Sequence, residues 1–331
     1  MNTHDATQAV SHWPFRAINI TRLGLGNINQ TYRVETPTGP IVLQRVNAIF
    51  SPEIHHNIHA VTLHLAQAGM LTYSLIPTRT GALWVDLGKH GVWRCLTWLP
   101  GHVLETSPSE AQCQSLGEFL ARTHNTLESI QHTFVGMRTG IHQTAKHRQK
   151  LQSALTTKTE HSWHHRITEL ARNIENAFAK LLPVDETISC IGHGDAKYGN
   201  AMFNADETCI ALIDLDTVGP IPILFELGDA LRSWCASGHE DASLPIAFRN
   251  ECFDASLRGY TAHRSSLLGM EVALRNATAI IALELSCRFA TDTLETSYFA
   301  WDNTRFTSAS EHHFIRAQRQ YELGQSIINQ I

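Results

Sequence analysis

Short apolar runs broken by turn residues fill the first hundred positions of the chain. FRAINI (15–20) and TYRV (31–34) flank a glycine-bearing loop, GLGNINQ (24–30), and a Pro/Gly turn, TPTGP, leads into IVLQRV (41–46). This pattern predicts an antiparallel β meander. After Ser51-Pro52 the period lengthens: Ile54, Ile58, Val61 and Leu65 recur at helical spacing, which predicts a helix over 53–67. LTYSLIPT (71–78), GALWVDL (81–87) and GVWRCLTWL (91–99) predict further strands.

Beyond Pro100-Gly101 the pattern becomes helical. Ser107-Pro108-Ser109-Glu110 has the form of a helix start, with Ser107 as cap, Pro at the first helical position and Glu at the third. Leu116, Phe119, Leu120, Thr123 and Leu127 then share one face, and helical spacing continues over 143–181, 225–236, 245–260, 267–290 and 307–329. The exception is 188–216, where short apolar runs alternate with polar loops. The expected architecture is α+β: a small antiparallel β lobe over 1–97 and a larger, mainly helical lobe over 98–331.

Composition narrows the class. With 43% apolar and 17% charged residues the chain can bury a large core and is not a disordered or acidic-tail protein. A formal charge of -5 argues against nucleic acid as partner. The seven cysteines are too far apart for a CxxC metal knuckle and odd in number, which fits buried thiols in a reducing compartment. MNTHDATQAVSHWPF has no basic region followed by an apolar run, and no stretch is apolar enough to span a bilayer. A cytoplasmic protein with no membrane partner is expected.

The chemistry concentrates in 188–234. HGDAKYGN puts Asp195 five residues before Asn200, and the short runs AMFN and CIALI lead to Asp214-Leu215-Asp216. Phosphoryl transfer from a nucleotide needs a carboxylate near the acceptor hydroxyl, oxygen ligands for the metal on the phosphates, and donors that neutralise charge. Asp195 suits the first role, and Asn200 and Asp214 suit Mg²⁺, which takes hard oxygen ligands.

HGDxxxxN followed by IDxD about 19 residues later resembles the aminoglycoside phosphotransferase and choline kinase group. Five segments resemble its N-acetylhexosamine 1-kinase branch more narrowly: GLGNINQTYRV, VLQRVN, HGDAKYGNAMF, LIDLDTVGP with ELGDALR, and LSCRFATDTLETSYF (285–299). The resemblance implies a protein-kinase-like fold, ATP and Mg²⁺ between two lobes with 96–101 as hinge, and a small-molecule hydroxyl acceptor. It implies Asp195 as catalytic base, Asn200 and Asp214 as metal ligands, His193 as a structural group of the catalytic loop, and Asp229 as the acid bracing that loop. The loop amides around Gly26 and Asn27 would hold phosphates, with Arg45, or Gln44, at the strand position usually held by Lys; no helix partner for it can be named. Arg288 and Asp292, sharing a helix face four residues apart, would approach the acceptor, and Asp216 could reach either the metal or the acceptor.

Bland readings compete with several of these. Asp in a glycine-containing loop is often only a turn former, and Arg288 in ALELSCRFA could be half of an internal ion pair. The His clusters at 55, 56 and 59 and at 161, 164 and 165 read as solvated helix faces rather than metal sites, since no HExxH is present. Two alternatives to a hexosamine kinase remain: an aminoglycoside, choline or homoserine kinase, favoured by an acidic acceptor pocket, and a pseudokinase, motivated by Arg45 in place of Lys.

Overall fold

The computed structural model describes residues 4–23, 29–138, 142–238, 241 and 246–331. Its first lobe opens with a short helix, α1 (His4–Val10), then β1 (Asn19–Arg22), β2 (Gln30–Thr36) and β3 (Gly39–Val46). Helix α2 (Ile54–Gln67) follows, then β4 (Leu75–Ile76), β5 (Val85–Asp86) and β6 (Val92–Thr97). The sheet is antiparallel throughout, in the order β1-β2-β3-β6-β4, with β5 also paired to β6.

The two-residue period of β3 and β6 gives this sheet two different faces. Ile41, Leu43, Trp93 and Cys95 point outward, under Ala6, Ala9, Val10 and Trp13. Val42, Val46, Val92 and Leu96 belong to the other face, which joins α2 and the second lobe in the main core. Gln44 lies directly opposite Arg94 in this pairing, and Arg45 opposite Trp93. One strand register therefore decides which basic side chain meets the interlobe cleft.

The second lobe contains α3 (Glu110–Leu127), α4 (Thr144–Thr157), α5 (His164–Phe178), then β7 (Ser189–Gly192), β8 (Ala201–Phe203), β9 (Cys209–Leu212) and β10 (Gly219–Pro222). It ends in α6 (Ile223–Trp234), α7 (Asn250–His263), α8 (Glu271–Glu295) and α9 (Ala309–Ile328). Strand β7 pairs with β10, and β8 with β9. Helix α8 is buried along most of its length between α6 and α9, as its largely apolar circumference requires. Helices α3 and α7 approach so closely that a Cβ on Gly117 or Gly259 would fall 2.1 Å from a backbone oxygen of the other helix.

The structure departs from the sequence pattern in several places. The apolar period gives no sign of α1, because seven residues cannot hold a helix alone; it forms where the sheet supplies an apolar surface. The spans 71–78 and 81–87 shrink to two-residue edge strands. The stretch 143–181 is two helices, separated after Thr157. The α3 cap is Ser109 rather than Ser107, with a reciprocal capping box to Gln112. All seven cysteines are buried free thiols, and no helix among the described residues is long and apolar enough to cross a membrane.

Candidate active site

The loop 193–200 runs from β7 to β8 and is held from below by buried groups. The Glu226 carboxylate, on the first turn of α6, accepts the amides of His193 and Gly194, each at 2.8 Å. Burial disfavours its charge, but His124, His193 and the Gly194 amide outweigh that and hold its pKa below the usual carboxylate value. Trp234 Nε1 donates to the Ala196 carbonyl at 2.8 Å, and the Tyr198 amide donates to Ser233 Oγ. His193 ties the loop to the residue just after β9 through Nε2 and the Ile213 carbonyl, 2.8 Å apart. Gly194 has φ +78°, and a Cβ there would lie 2.7 Å from the Thr217 oxygen, so only glycine fits.

The loop brace is therefore Glu226 and not Asp229, which sits nearly one helical turn later and pairs with Arg232 at 2.8 Å. Replacing Glu226 with Ala leaves two buried amides unpaired, each costing about 1–3 kcal/mol. The expected result is a lowered melting temperature together with reduced kcat. A variant as stable and active as the parent would remove Glu226 from this role.

On the cleft side Asp195 is partly exposed and accepts from Lys197 Nζ at 2.6 Å and Asn200 Nδ2 at 3.1 Å. Desolvation works against the Lys197 charge, yet Asp195 and Asp214 more than offset it and raise its pKa. Sequence reasoning does not single out Lys197, although a Lys two residues after a candidate base is a visible signal. Asp214, two residues past β9, adopts the left-handed conformation, φ 63° and ψ 55°, a strained state for a residue other than glycine. Burial, then the Asp216 charge, pushes its pKa up to about 6.

Asn200 and Asp214 fit a hard divalent cation. Asn200 donates its amide to Asp195, while its Oδ1 takes no hydrogen bond among the described residues, and neither does the Asp214 carboxylate. No group of three or more His, Cys, Asp or Glu among those residues could hold a metal alone. Two protein oxygens completed by phosphate oxygens and water suit Mg²⁺.

Asp216 does not reach toward an acceptor. Its carboxylate is buried and accepts Arg94 Nη1 at 2.5 Å and Asn29 Nδ2 at 2.7 Å. Asn29 accepts the Asn47 amide in turn, and Arg94 Nε donates to Gln44 Oε1 at 2.8 Å. Asp216 thus joins the second lobe to Arg94 of β6 and to Asn29, just before β2, and through Arg94 to Gln44 of β3. Arg45, expected at the nucleotide phosphates, lies on the outer side of β3 and donates to the Lys89 carbonyl. Arg94, from the neighbouring strand, lies on the cleft face. His55 of α2 is fully buried and stacked on Trp84, not solvated as expected; burial and then the Arg94 charge lower its pKa to about 4. Gly26 and Asn27 lie outside the described residues.

A cavity of about 360 Å³ opens beside Asp195 and is walled by Arg288, Tyr298 and Phe299. Arg288 lies against the Tyr298 and Phe299 rings rather than pairing with Asp292. Asp292 is buried and accepts the amides of Ser297, Tyr298 and Phe299, the last at 2.7 Å. It shapes the cavity wall and is not one of its lining residues.

The profile described as "Phosphotransferase enzyme family" matches residues 19–264. Among solved structures, a microcompartment-associated aminopropanol kinase is 16% identical, with a TM-score of 0.71 over 99% of this chain and 98% of its own. An amicoumacin kinase in complex with AMP-PNP, Ca²⁺ and Ami is 14% identical, with a TM-score of 0.66 over 97% and 93%. The choline kinase of Cryptosporidium parvum Iowa II is 11% identical, with a TM-score of 0.58 over 94% and 90%. These likenesses establish the expected kinase-like fold, with its antiparallel sheet lobe and helical lobe.

Proposed function

From the premise that this chain belongs to the phosphotransferase enzyme family, we propose that it moves the γ-phosphate of ATP to the anomeric hydroxyl of an N-acetylhexosamine. The acceptor oxygen forms the new bond to phosphorus as the bond to the β,γ-bridging oxygen breaks, and the departing ADP carries that electron pair. Asp195 takes the hydroxyl proton. Lys197, beside Asp195, neutralises charge on the transferring group. Asn200 and Asp214 would hold Mg²⁺, which when bound supplies positive charge to the phosphate oxygens. Lys197 supplies a cation at the cleft beside Asp195, so the Arg45 position is no argument against turnover.

One observation supports the sugar over a cationic acceptor: among the described residues the cavity beside Asp195 offers no free carboxylate. Asp195 is engaged by Lys197, Asp229 by Arg232, and Glu284 by Thr144. Choline or an aminoglycoside would enter a pocket already rich in positive charge. A sugar instead finds the hydroxyl of Tyr298 and the ring of Phe299. The volume falls within the roughly 300–1,000 Å³ typical of small-molecule sites.

The test is a phosphorylation screen with N-acetylglucosamine, N-acetylgalactosamine, choline and kanamycin. A sugar 1-phosphate is expected. Phosphorylation of choline or kanamycin with no sugar 1-phosphate would overturn the acceptor while leaving the fold and family intact. Asp214→Ala should weaken nucleotide binding with Mg²⁺ far more than without it, because it removes a hard oxygen ligand. Equal losses in titrations with and without the metal would make Asp214 structural.

A further inference from the structure

Among the described residues, basic side chains outnumber acidic ones on the lining of the acceptor cavity. Arg138, Lys197, Arg232, Arg288 and Arg316 stand against Asp195, Asp229 and Glu284. All three carboxylates have partners within the protein: Lys197 at 2.6 Å, Arg232 at 2.8 Å, and Thr144 at 2.6 Å with His142 at 3.5 Å. Arg138, Arg288 and Arg316 converge on one short wall. Arg138 donates to the Tyr298 hydroxyl at 2.7 Å and lies 5.3 Å from that ring. Arg288 lies 5.8 Å from the Tyr298 ring and 5.5 Å from Phe299. Arg316, buried, lies 4.0 Å from Phe289 and 5.3 Å from Phe299.

Neither Arg138 nor Arg288 has a carboxylate partner among the described residues. Guanidiniums gathered in a half-enclosed cavity repel one another more strongly than in water. The wall nonetheless holds them there, since Asp292 fixes the backbone of Ser297, Tyr298 and Phe299 and so places the two rings beside them. A guanidinium held near an aromatic ring by cation–π attraction keeps N–H groups for forked bonds to a carboxylate or phosphate. A neutral sugar alone leaves that capacity unused.

We propose that the acceptor is an N-acetylhexosamine bearing an anionic substituent, a carboxylate or a phosphate, which Arg288 and Arg138 grip while Asp195 faces the reacting hydroxyl. This inference rests on the hexosamine reading above. The anion places the sugar by its charged end, and the geometry of the grip then determines which hydroxyl meets Asp195.

The experiment compares kcat/KM at saturating ATP for N-acetylglucosamine, N-acetylglucosamine 6-phosphate, N-acetylglucosaminuronic acid and N-acetylmuramic acid. Bonds to a charged group are worth enough that the best acidic sugar should exceed N-acetylglucosamine by roughly 10- to 100-fold. Which acid leads separates phosphate from carboxylate. Arg288→Gln should erase most of that preference, lowering kcat/KM for the acidic sugar far more than for the neutral one. Arg138→Gln should act in the same direction, and the comparison in the unsubstituted protein stands even if one variant folds poorly. N-acetylglucosamine used as well as or better than every acidic analogue overturns the proposal but keeps the hexosamine reading. Equal losses for acidic and neutral sugars in Arg288→Gln also overturn it, assigning the arginines to the transferring phosphate. If no hexosamine of either charge is phosphorylated, both readings fall together.

Discussion

Asp195→Asn lowers kcat by roughly 100- to 10,000-fold, the range typical when a general base is removed. The substitution is nearly isosteric. An amide oxygen at this position can still accept from Lys197 and Asn200, which now meet the carboxylate at 2.6 and 3.1 Å. The supports of the loop, Glu226, Trp234 and Ser233, all contact backbone atoms and are untouched. The melting temperature should therefore stay close to that of the parent protein, and nucleotide affinity should change little. What is lost is the group that takes the acceptor's proton. Steady-state turnover, with binding of a non-hydrolysable ATP analogue measured alongside, separates these effects. Near-normal turnover would take Asp195 out of the mechanism.

Arg94→Met should destabilise the protein far more than Asp195→Asn does. It strands the buried Asp216 carboxylate with Asn29 as its remaining side-chain donor. Breaking a buried pair by removing one partner costs about 3–5 kcal/mol, because the other charge is left uncompensated. Gln44 also loses its donor at Oε1. Combining Arg94→Met with Asp216→Asn removes the stranded charge, so the double variant should be more stable than the sum of the single effects. Denaturant midpoints for the four proteins of the cycle measure that coupling. A coupling within about 0.5 kcal/mol of zero, as independent sites give, would show that the pair contributes little to joining the lobes. Nucleotide affinity should fall in Arg94→Met as well, since the pair sets the sheet against the loop that carries Asp214.

The sequence does carry a sign of Arg94. An Arg between Trp93 and Cys95 in an otherwise apolar strand must find a partner if it is buried. The strand position usually held by Lys points instead to β3. Whether Gln44 or Arg45 faces the cleft depends on a register, and a shift of one residue exchanges the two faces of a strand. The same limit applies on α6. Glu226 and Asp229 are three residues apart on one helix, and no pattern in ELGDALR says which carboxylate lies under the loop and which beside the cavity. Asp292 is a further instance. Its position four residues after Arg288 suggests a shared grip, but the chain turns after α8 and brings three amides onto the carboxylate instead.

Local sequence is enough for the order of elements and the place of the chemistry. Apolar periodicity changes near Pro100-Gly101, as the two-lobed fold requires, and the spacing of Asp195, Asn200 and Asp214 puts the candidate catalytic residues on one loop and the strand pair after it. Backbone period and short connections set these properties within a few residues of chain. Which partner each buried charge takes is settled only when the lobes pack. Asp216 meets Arg94 across 122 positions of chain, and Asn29 across 187. Such pairs form because a desolvated charge must be matched by whatever the packing of two lobes brings within reach, and that packing is a property of the whole chain.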